Sequence, residues 1–217
     1  MREFDLLEIL RQLLVATQWT VALSLVALIG GGVLGMVLTL ALNSFIRPLR
    51  WASKSYIQFI QGTPLLMQLF LIYFGLPLFL GMNISAWAVA CIALILFTSA
   101  FLAEIWSSCL RTIPVPQWES AASLGLGHLQ QLRYIIIPQA LKIAFPPSVG
   151  FAVQVIKSTS LTSIIGFLEL TRMGQTINNV TFKPMIVYSM VAMIYFLLCY
   201  PLSLYSKRME KRLNGTR

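Results

Sequence analysis

Charge is what this sequence has least of. Lysine, arginine, aspartate and glutamate make up 11% of 217 residues, where a soluble domain carries about 25%. Acidic residues number seven, basic ones sixteen, and His128 is the single histidine. With one histidine, and with Cys91, Cys109 and Cys199 in no CxxC spacing, neither a zinc site nor a serine–histidine pair is well supplied. The three cysteines sit in or beside apolar runs and read as packing thiols. No Gly-x-x-x-x-Gly-Lys-Ser/Thr occurs, so ATP hydrolysis through a P-loop of this chain is excluded. No metal site and no catalytic set is expected. The net charge of +9 suggests nucleic acid at first sight, but the basic residues flank apolar runs and form no stripe with interleaved aromatics. No nucleic-acid partner is expected.

Apolar residues are what it has in plenty: 58%, with a mean hydropathy of +0.79. Several uncharged runs reach the roughly 18–20 residues that span a bilayer. They are continuously apolar and do not alternate, which indicates helices and not a barrel. The expectation is an all-α, multi-pass membrane protein, one domain over 1–217, with spans near 18–42, 56–80, 86–110, 139–156 and 185–206. Residues 1–17 place Leu6, Ile9, Leu10, Leu13 and Leu14 at helical spacing among charged residues. They predict an amphipathic helix lying at the interface. They offer no basic n-region followed by a cleavage site, so a removable signal peptide is not expected.

Each span carries a feature that packing or transport could use. Trp19 suits an interfacial anchor. Gly31 and Gly35 form a small-xxx-small face, open either to a helix of this chain or to another subunit. Gln61-Gly62-Thr63-Pro64 weakens the second span's backbone bonding and predicts a kink or local unwinding. Glu104, in the third span, is either a structural acid near the membrane edge or a lining group of a pathway. Pro146-Pro147 predicts a bend or interruption of the fourth. Beyond it, Lys157, Ser158, Thr159 and Ser160 lead on to Glu169, with Gln154 one turn before. Clustered hydroxyls with a charge of each sign complement a zwitterionic amino acid; a solvated outer loop is the alternative.

The longest polar interlude runs from Pro116 to Pro138. Pro116 suits a helix start, Glu119 to Leu124 continue it, and Gly125 and Gly127 break it. Glu119-Ser120-Ala121, Gly125 and Ile135-x-Ile137-Pro138 resemble the EAA loop of ABC-importer membrane subunits. That pattern is Glu-Ala-Ala, three residues, Gly, nine residues, Ile-x-Leu-Pro. Gln61 to Leu69 is similar to the Arg-Gly-Thr-Pro-Leu-Leu-x-Gln-Leu signature of polar amino-acid permeases, with Gln61 in place of arginine. Lys157 to Leu161, Ile165-Gly166 and Glu169-Leu170 resemble that group's Lys-Asp-Thr-Ser-Leu…Ile-Gly…Glu-Leu segment, with Ser158 for Asp. Ser107 and Ser108 stand where Arg-Gly is usual after Ala-Glu-Ile.

The resemblance implies a type I importer fold of five transmembrane helices, with a cytoplasmic coupling helix between spans 3 and 4, within 114–138. Glu119, Ser120, Ala121, Ala122, Gly125 and Pro138 would then engage a separate P-loop ATPase, which binds ATP and Mg; this chain itself needs no cofactor. Thr63, Pro64, Glu104, Gln154, Lys157, Ser158, Thr159, Ser160 and Glu169 are the candidate pathway residues. The implied partners are that ATPase, an extracytoplasmic solute-binding protein, a second permease subunit (identical or homologous) and membrane lipid. The implied function is ATP-driven uptake of polar amino acids through a bacterial cytoplasmic membrane. The alternative is a channel or proton-coupled carrier without an ATPase, although Glu104 supplies few ionisable groups for one. A cytoplasmic loop places Arg47, Arg50, Lys54, Arg111, Arg133 and Lys142 inside, with Lys207, Arg208, Lys211, Arg212 and Arg217. Arg2, Arg11, Arg172 and Lys183 fall outside, and Lys157 near the outer edge. This bias puts the N-terminus outside and the C-terminus inside.

Overall fold

The computed structural model describes residues 5–81 and 84–214, and all regular structure among them is helical. Arg2 and Arg217, used above for orientation, lie outside the described residues. Helix α1 (Leu6–Leu42) runs unbroken for 37 residues, about 55 Å at 1.5 Å per residue. The separate interfacial helix expected over 1–17 is therefore not found: from Leu6 onward this stretch is the start of the first span's own helix. Nothing between Leu6 and Ile29 is glycine or proline, so nothing ends it. Its amphipathicity has another cause. Ile9 and Leu13 are buried against Leu170 and Ile177 of α8 (Leu170–Thr181) and Val187, Val191 and Ile194 of α9 (Pro184–Asn214).

Helix α1 packs most closely on α4 (Ala86–Arg111), whose first turn is capped by the Ser85 hydroxyl accepting from the Ala88 N–H at 3.3 Å. A Cβ built at Gly31 would stand 2.5 Å from Thr98 Cβ, and one at Gly35 would stand 3.1 Å from the Ser99 carbonyl oxygen. The small-residue face is thus used inside the chain, and the two helices run parallel. Buried hydroxyls in α1 are satisfied by their own backbone, Ser24 donating to the Thr20 carbonyl at 2.7 Å and Thr39 to that of Gly35 at 2.7 Å.

The second span is not one straight crossing from 56 to 80. Helices α2 (Arg47–Gly62) and α3 (Leu65–Leu80) meet at 102°. Pro64 forces the preceding residue out of helical geometry, and Thr63 accordingly lies at φ −116°, ψ 139°. Proline also leaves the Ile60 carbonyl without its i+4 donor. The Gln68 side chain takes over, its Nε2 donating to the Ile60 carbonyl (2.8 Å), the Thr63 carbonyl (3.1 Å) and Thr63 Oγ1 (2.9 Å).

Pro146 and Pro147 do not interrupt α7 (Ile137–Ser158). From the next span the Ser206 hydroxyl donates to the Pro146 carbonyl at 2.8 Å, tying α9 to this stretch. The Trp106 indole N–H donates to Ser148 Oγ at 2.9 Å, and Ser148 donates on to the Ala144 carbonyl at 2.7 Å. The irregular turn comes earlier, a widened π turn over Leu132–Ile136 in which the Ile137 N–H reaches the Leu132 carbonyl. Proline at 138 would crowd the carbonyl of residue 134 in a regular helix, and the wider turn relieves that crowding.

Among the described residues, four helices are long and apolar enough to cross a membrane, Leu6–Leu42, Ala86–Arg111, His128–Ser163 and Pro184–Leu213, with the bent α2–α3 pair as a fifth. Phe101 stacks on Phe151 at 5.2 Å, and Trp106 meets Ser148, so α7 runs antiparallel to α4. The C-terminal ends of α1, α4 and α9 consequently gather at one end of the bundle with the start of α7. At the other end the Leu170 N–H donates to Thr20 Oγ1 at 3.1 Å, tying α8 to α1.

Candidate functional site

Two sets of residues require placing: those of the polar interlude and those of the presumed route. The interlude folds as α5 (Val115–Ser123), a glycine turn and α6 (His128–Gln131), which leads through the π turn into α7. Pro114 and Pro116 set the entry to α5. Ile113, Ile136 and Ala140 are buried together, with Leu110, Trp118, Leu132, Ile135 and Ile143 around them. This apolar joint fixes α5 to the end of α4 and the start of α7.

The turn is held by backbone geometry. Gly125 lies at φ +74° and its N–H donates to the Ala122 carbonyl at 2.9 Å. Gln130 Oε1 accepts from the Gly127 N–H at 3.0 Å, and Gln131 Nε2 donates to the Leu126 carbonyl at 2.7 Å. Trp118 stacks on the His128 ring at 5.8 Å, with Phe45 edge-on to the same ring at 5.4 Å. Phe45 belongs to the α1–α2 connection, so three segments clasp at this point. His128 is exposed on this loop, and nothing in the sequence signals its two aromatic neighbours.

Glu119, Ser120, Ala122 and Gly125 are exposed together on this protrusion, and Pro138 is exposed on α7. Ala121 alone of the set is fully buried; it packs α5 down and presents nothing outward. Beside the polar group stand Leu124 and Leu129, 74% and 79% exposed.

The route residues are not gathered into one site. Thr63 and Pro64 sit in the α2–α3 elbow, where Thr63 Oγ1 donates to the Phe59 carbonyl at 2.9 Å. Glu104 is exposed on α4, and Gln154 and Lys157 are exposed on α7. Pro147, Gly150, Gln154 and Lys157 are all exposed and recur at helical spacing, so α7 offers one uncovered strip. The hydroxyls bond back to the preceding turn: Thr159 donates to the Ile156 carbonyl and Ser160 to that of Lys157, both at 2.7 Å. Ser158, just before them, is half-buried.

Glu169 is turned into the fold. It is fully buried and caps α8, its carboxylate accepting from the Thr171 and Arg172 N–H groups at 2.8 Å each and from the Tyr195 hydroxyl at 2.9 Å. Burial pushes its carboxyl above the ordinary carboxylate range, against the pull of those hydrogen bonds. Glu169→Ala should lower the thermal midpoint through a loss of about 1–3 kcal/mol, with Glu169→Gln intermediate. An unchanged midpoint with an altered solute range would return this acid to the route.

Residues 31–215 match the family model described as binding-protein-dependent transport system inner membrane component. The probable amino-acid ABC transporter permease protein YckA of Bacillus subtilis (strain 168) is 37% identical over 194 residues, 89% of this chain and 85% of that one. The L-cystine transport system permease protein TcyB of the same organism is 35% identical over 197 residues, 90% and 84% of the two chains. Among solved structures, a chain of an amino acid ABC transporter crystallised with histidines superposes with a TM-score of 0.89 at 35% identity, over 96% of this chain and 99% of that one. A chain of the inward-facing methionine ABC transporter MetNI shares the fold, with a TM-score of 0.71 at 16% identity over 93% and 94% of the chains.

Proposed function

The chain belongs to the family of binding-protein-dependent transport system inner membrane components and is a multi-pass permease subunit of the amino-acid ABC type; from that premise we propose that it carries polar amino acids inward across a bacterial cytoplasmic membrane. Work done by a separate ATPase, which holds ATP and Mg, enters at the α5 protrusion. The observation that carries this reading is the joint display of Glu119, Ser120, Ala122 and Gly125 on a short helix fixed by an apolar joint to α4 and α7. From His128 to Ser163 the chain is one continuous helical element. A displacement at the protrusion is therefore passed along α7 as a rigid-body motion, toward Gln154, Lys157 and Ser158. In this reading the α5 end is cytoplasmic and the α8 end meets the extracytoplasmic solute-binding protein.

A second permease subunit follows from the exposed polar groups. Glu104, Gln154 and Lys157 are uncovered on helices that pass through lipid, and such groups face a partner or a water-filled cavity in place of hydrocarbon. Pairing two subunits across the exposed strip of α7 gives a route lined by both. The test is co-purification of the chain with its ATPase, reconstitution, and hydrolysis measured with the solute-binding protein over a panel of amino acids. Hydrolysis should rise several-fold with one polar amino acid and its receptor. Hydrolysis indifferent to receptor and solute would sink the proposal.

A further inference from the structure

Helices α7 and α9 touch through Pro146 and Ser206, and the contact leaves a groove on each side. One groove, lined by Pro147, Ser206 and Glu210, contains the only acidic residue of α9. The other has a volume of about 450 Å³ and a different character. Its walls are Leu141, Phe145, Tyr205 and Met209, and the two charges on its lining are Lys142 and Arg212. Helix α7 contains no acidic residue at all, and Glu210 faces the opposite groove. The result is an apolar slot between two membrane-crossing helices, with cations of one sign and no carboxylate on its wall.

That absence of a carboxylate holds among the described residues, and the slot lies where both helices reach the end of their apolar runs, at the same end of the bundle as α5. Phe145 and Tyr205 are both about half exposed there, as aromatic rings at a membrane–water boundary are. A ligand that fits needs an apolar body alongside Phe145 and Met209 and an anionic group at the level of Lys142 and Arg212. We propose that this groove binds an anionic phospholipid of the inner leaflet, acyl chain against Leu141, Phe145 and Met209, phosphate between Lys142 and Arg212. Basic pockets between transmembrane helices at the cytoplasmic edge recognise such headgroups. The leaflet assignment rests on the orientation proposed above. Because α7 also carries the motion from the protrusion, an occupied groove would bear on the α7–α9 contact beside it.

The test titrates the purified permease–ATPase complex with phosphatidylglycerol and with phosphatidylcholine, read by native mass spectrometry. Wild type should prefer phosphatidylglycerol, and the double variant Lys142→Gln/Arg212→Gln should lose roughly thirtyfold of that preference at about one cationic contact per residue. The control Lys207→Gln/Lys211→Gln removes equal charge from exposed positions of α9 that do not line the groove, and should keep the preference. Equal losses in both variants, or none in either, overturn the proposal. So does loss of the ATPase from the groove variant with its lipid preference intact, which would make this an ATPase contact. A photoactivatable phosphatidylglycerol on the wild-type complex gives a readout without mutation: label within 141–145 and 205–212 is expected, and label confined elsewhere overturns the site. Receptor-stimulated hydrolysis in phosphatidylcholine nanodiscs tests the transport reading separately.

Discussion

Gly31→Leu is expected to abolish recovery of folded permease, whereas Gly32→Leu, one residue away, is expected to be tolerated. The two positions differ in what a side chain meets. A Cβ at Gly31 would lie 2.5 Å from Thr98 Cβ and 2.6 Å from its Cγ2, while one at Gly32 has Trp106 Cη2 as its nearest neighbour at 3.9 Å. The Thr98 atom nearest Gly31 is fixed to backbone, so it cannot swing away, and α1 must move off α4. That separation disturbs the largest helix–helix contact of the molecule, and Gly35 cannot absorb it, with the Ser99 carbonyl 3.1 Å from its own Cβ position. Overpacking costs about 1–3 kcal/mol in ordinary cores and more where backbones are already in contact. Within a bilayer, close packing is itself the main force between helices. Monodisperse yield and thermal midpoint after detergent extraction measure the effect, and Thr98→Gly should restore part of it. Equal yields of the Gly31 and Gly32 variants would mean that α1 and α4 do not meet as described.

Much of this architecture was legible because its signals are local or compositional. Long uncharged runs announce crossings whatever their neighbours, and Pro64 after Gly62 and Thr63 announces a break. The size of the break was not legible, since the 102° elbow is held by Gln68 reaching back to Ile60 and Thr63. Gln68 lay inside a noted motif and was passed over because its role is to replace a missing proline N–H. Pro146 and Pro147 mislead for the complementary reason. The proline rule is local, whereas the contacts that hold this stretch come from other spans, Ser206 on the Pro146 carbonyl and Trp106 on Ser148. Amphipathicity over 6–14 announced a half-buried helix correctly, but the expectation placed its apolar face at the membrane interface. The partner proved to be α8 and α9.

Glu169 and Glu104 show how far residue type alone carries an assignment. Both are carboxylates in apolar surroundings, and one rule applies to each: a partner or a cavity must compensate the charge. In Glu169 the compensation is internal, two backbone N–H groups and a tyrosine hydroxyl. Glutamate is not a favoured N-cap residue, so the pattern around Leu170 gave no sign of the cap. Glu104 has no such neighbourhood and is exposed on α4. The same reasoning therefore places one acid in the scaffold and leaves the other on the exposed surface proposed above to meet a second subunit. The coupling set divides likewise: Ala121 supports α5 from beneath, and its neighbours face outward.

Gly125 allows the coupling proposal to be tested without disturbing packing. Its φ of +74° is a conformation that L side chains rarely adopt, yet a Cβ built there meets nothing within 4 Å. Substitution therefore strains the turn and clashes with nothing in this chain. Asparagine tolerates the left-handed region, alanine there costs roughly 1–2 kcal/mol, and a β-branched residue is a genuine outlier. Uptake by the reconstituted complex should accordingly fall in the order Gly125→Asn, Gly125→Ala, Gly125→Val, the last losing most of its transport. Thermal midpoints should change far less, because the apolar joint under α5 is untouched by the turn. Basal hydrolysis by the ATPase should persist in all three, while its stimulation by the receptor falls in step with uptake. Strain at the turn would then be felt as lost transmission. If the valine variant transported normally, the path from protrusion to α7 would have to run through some other element than this turn.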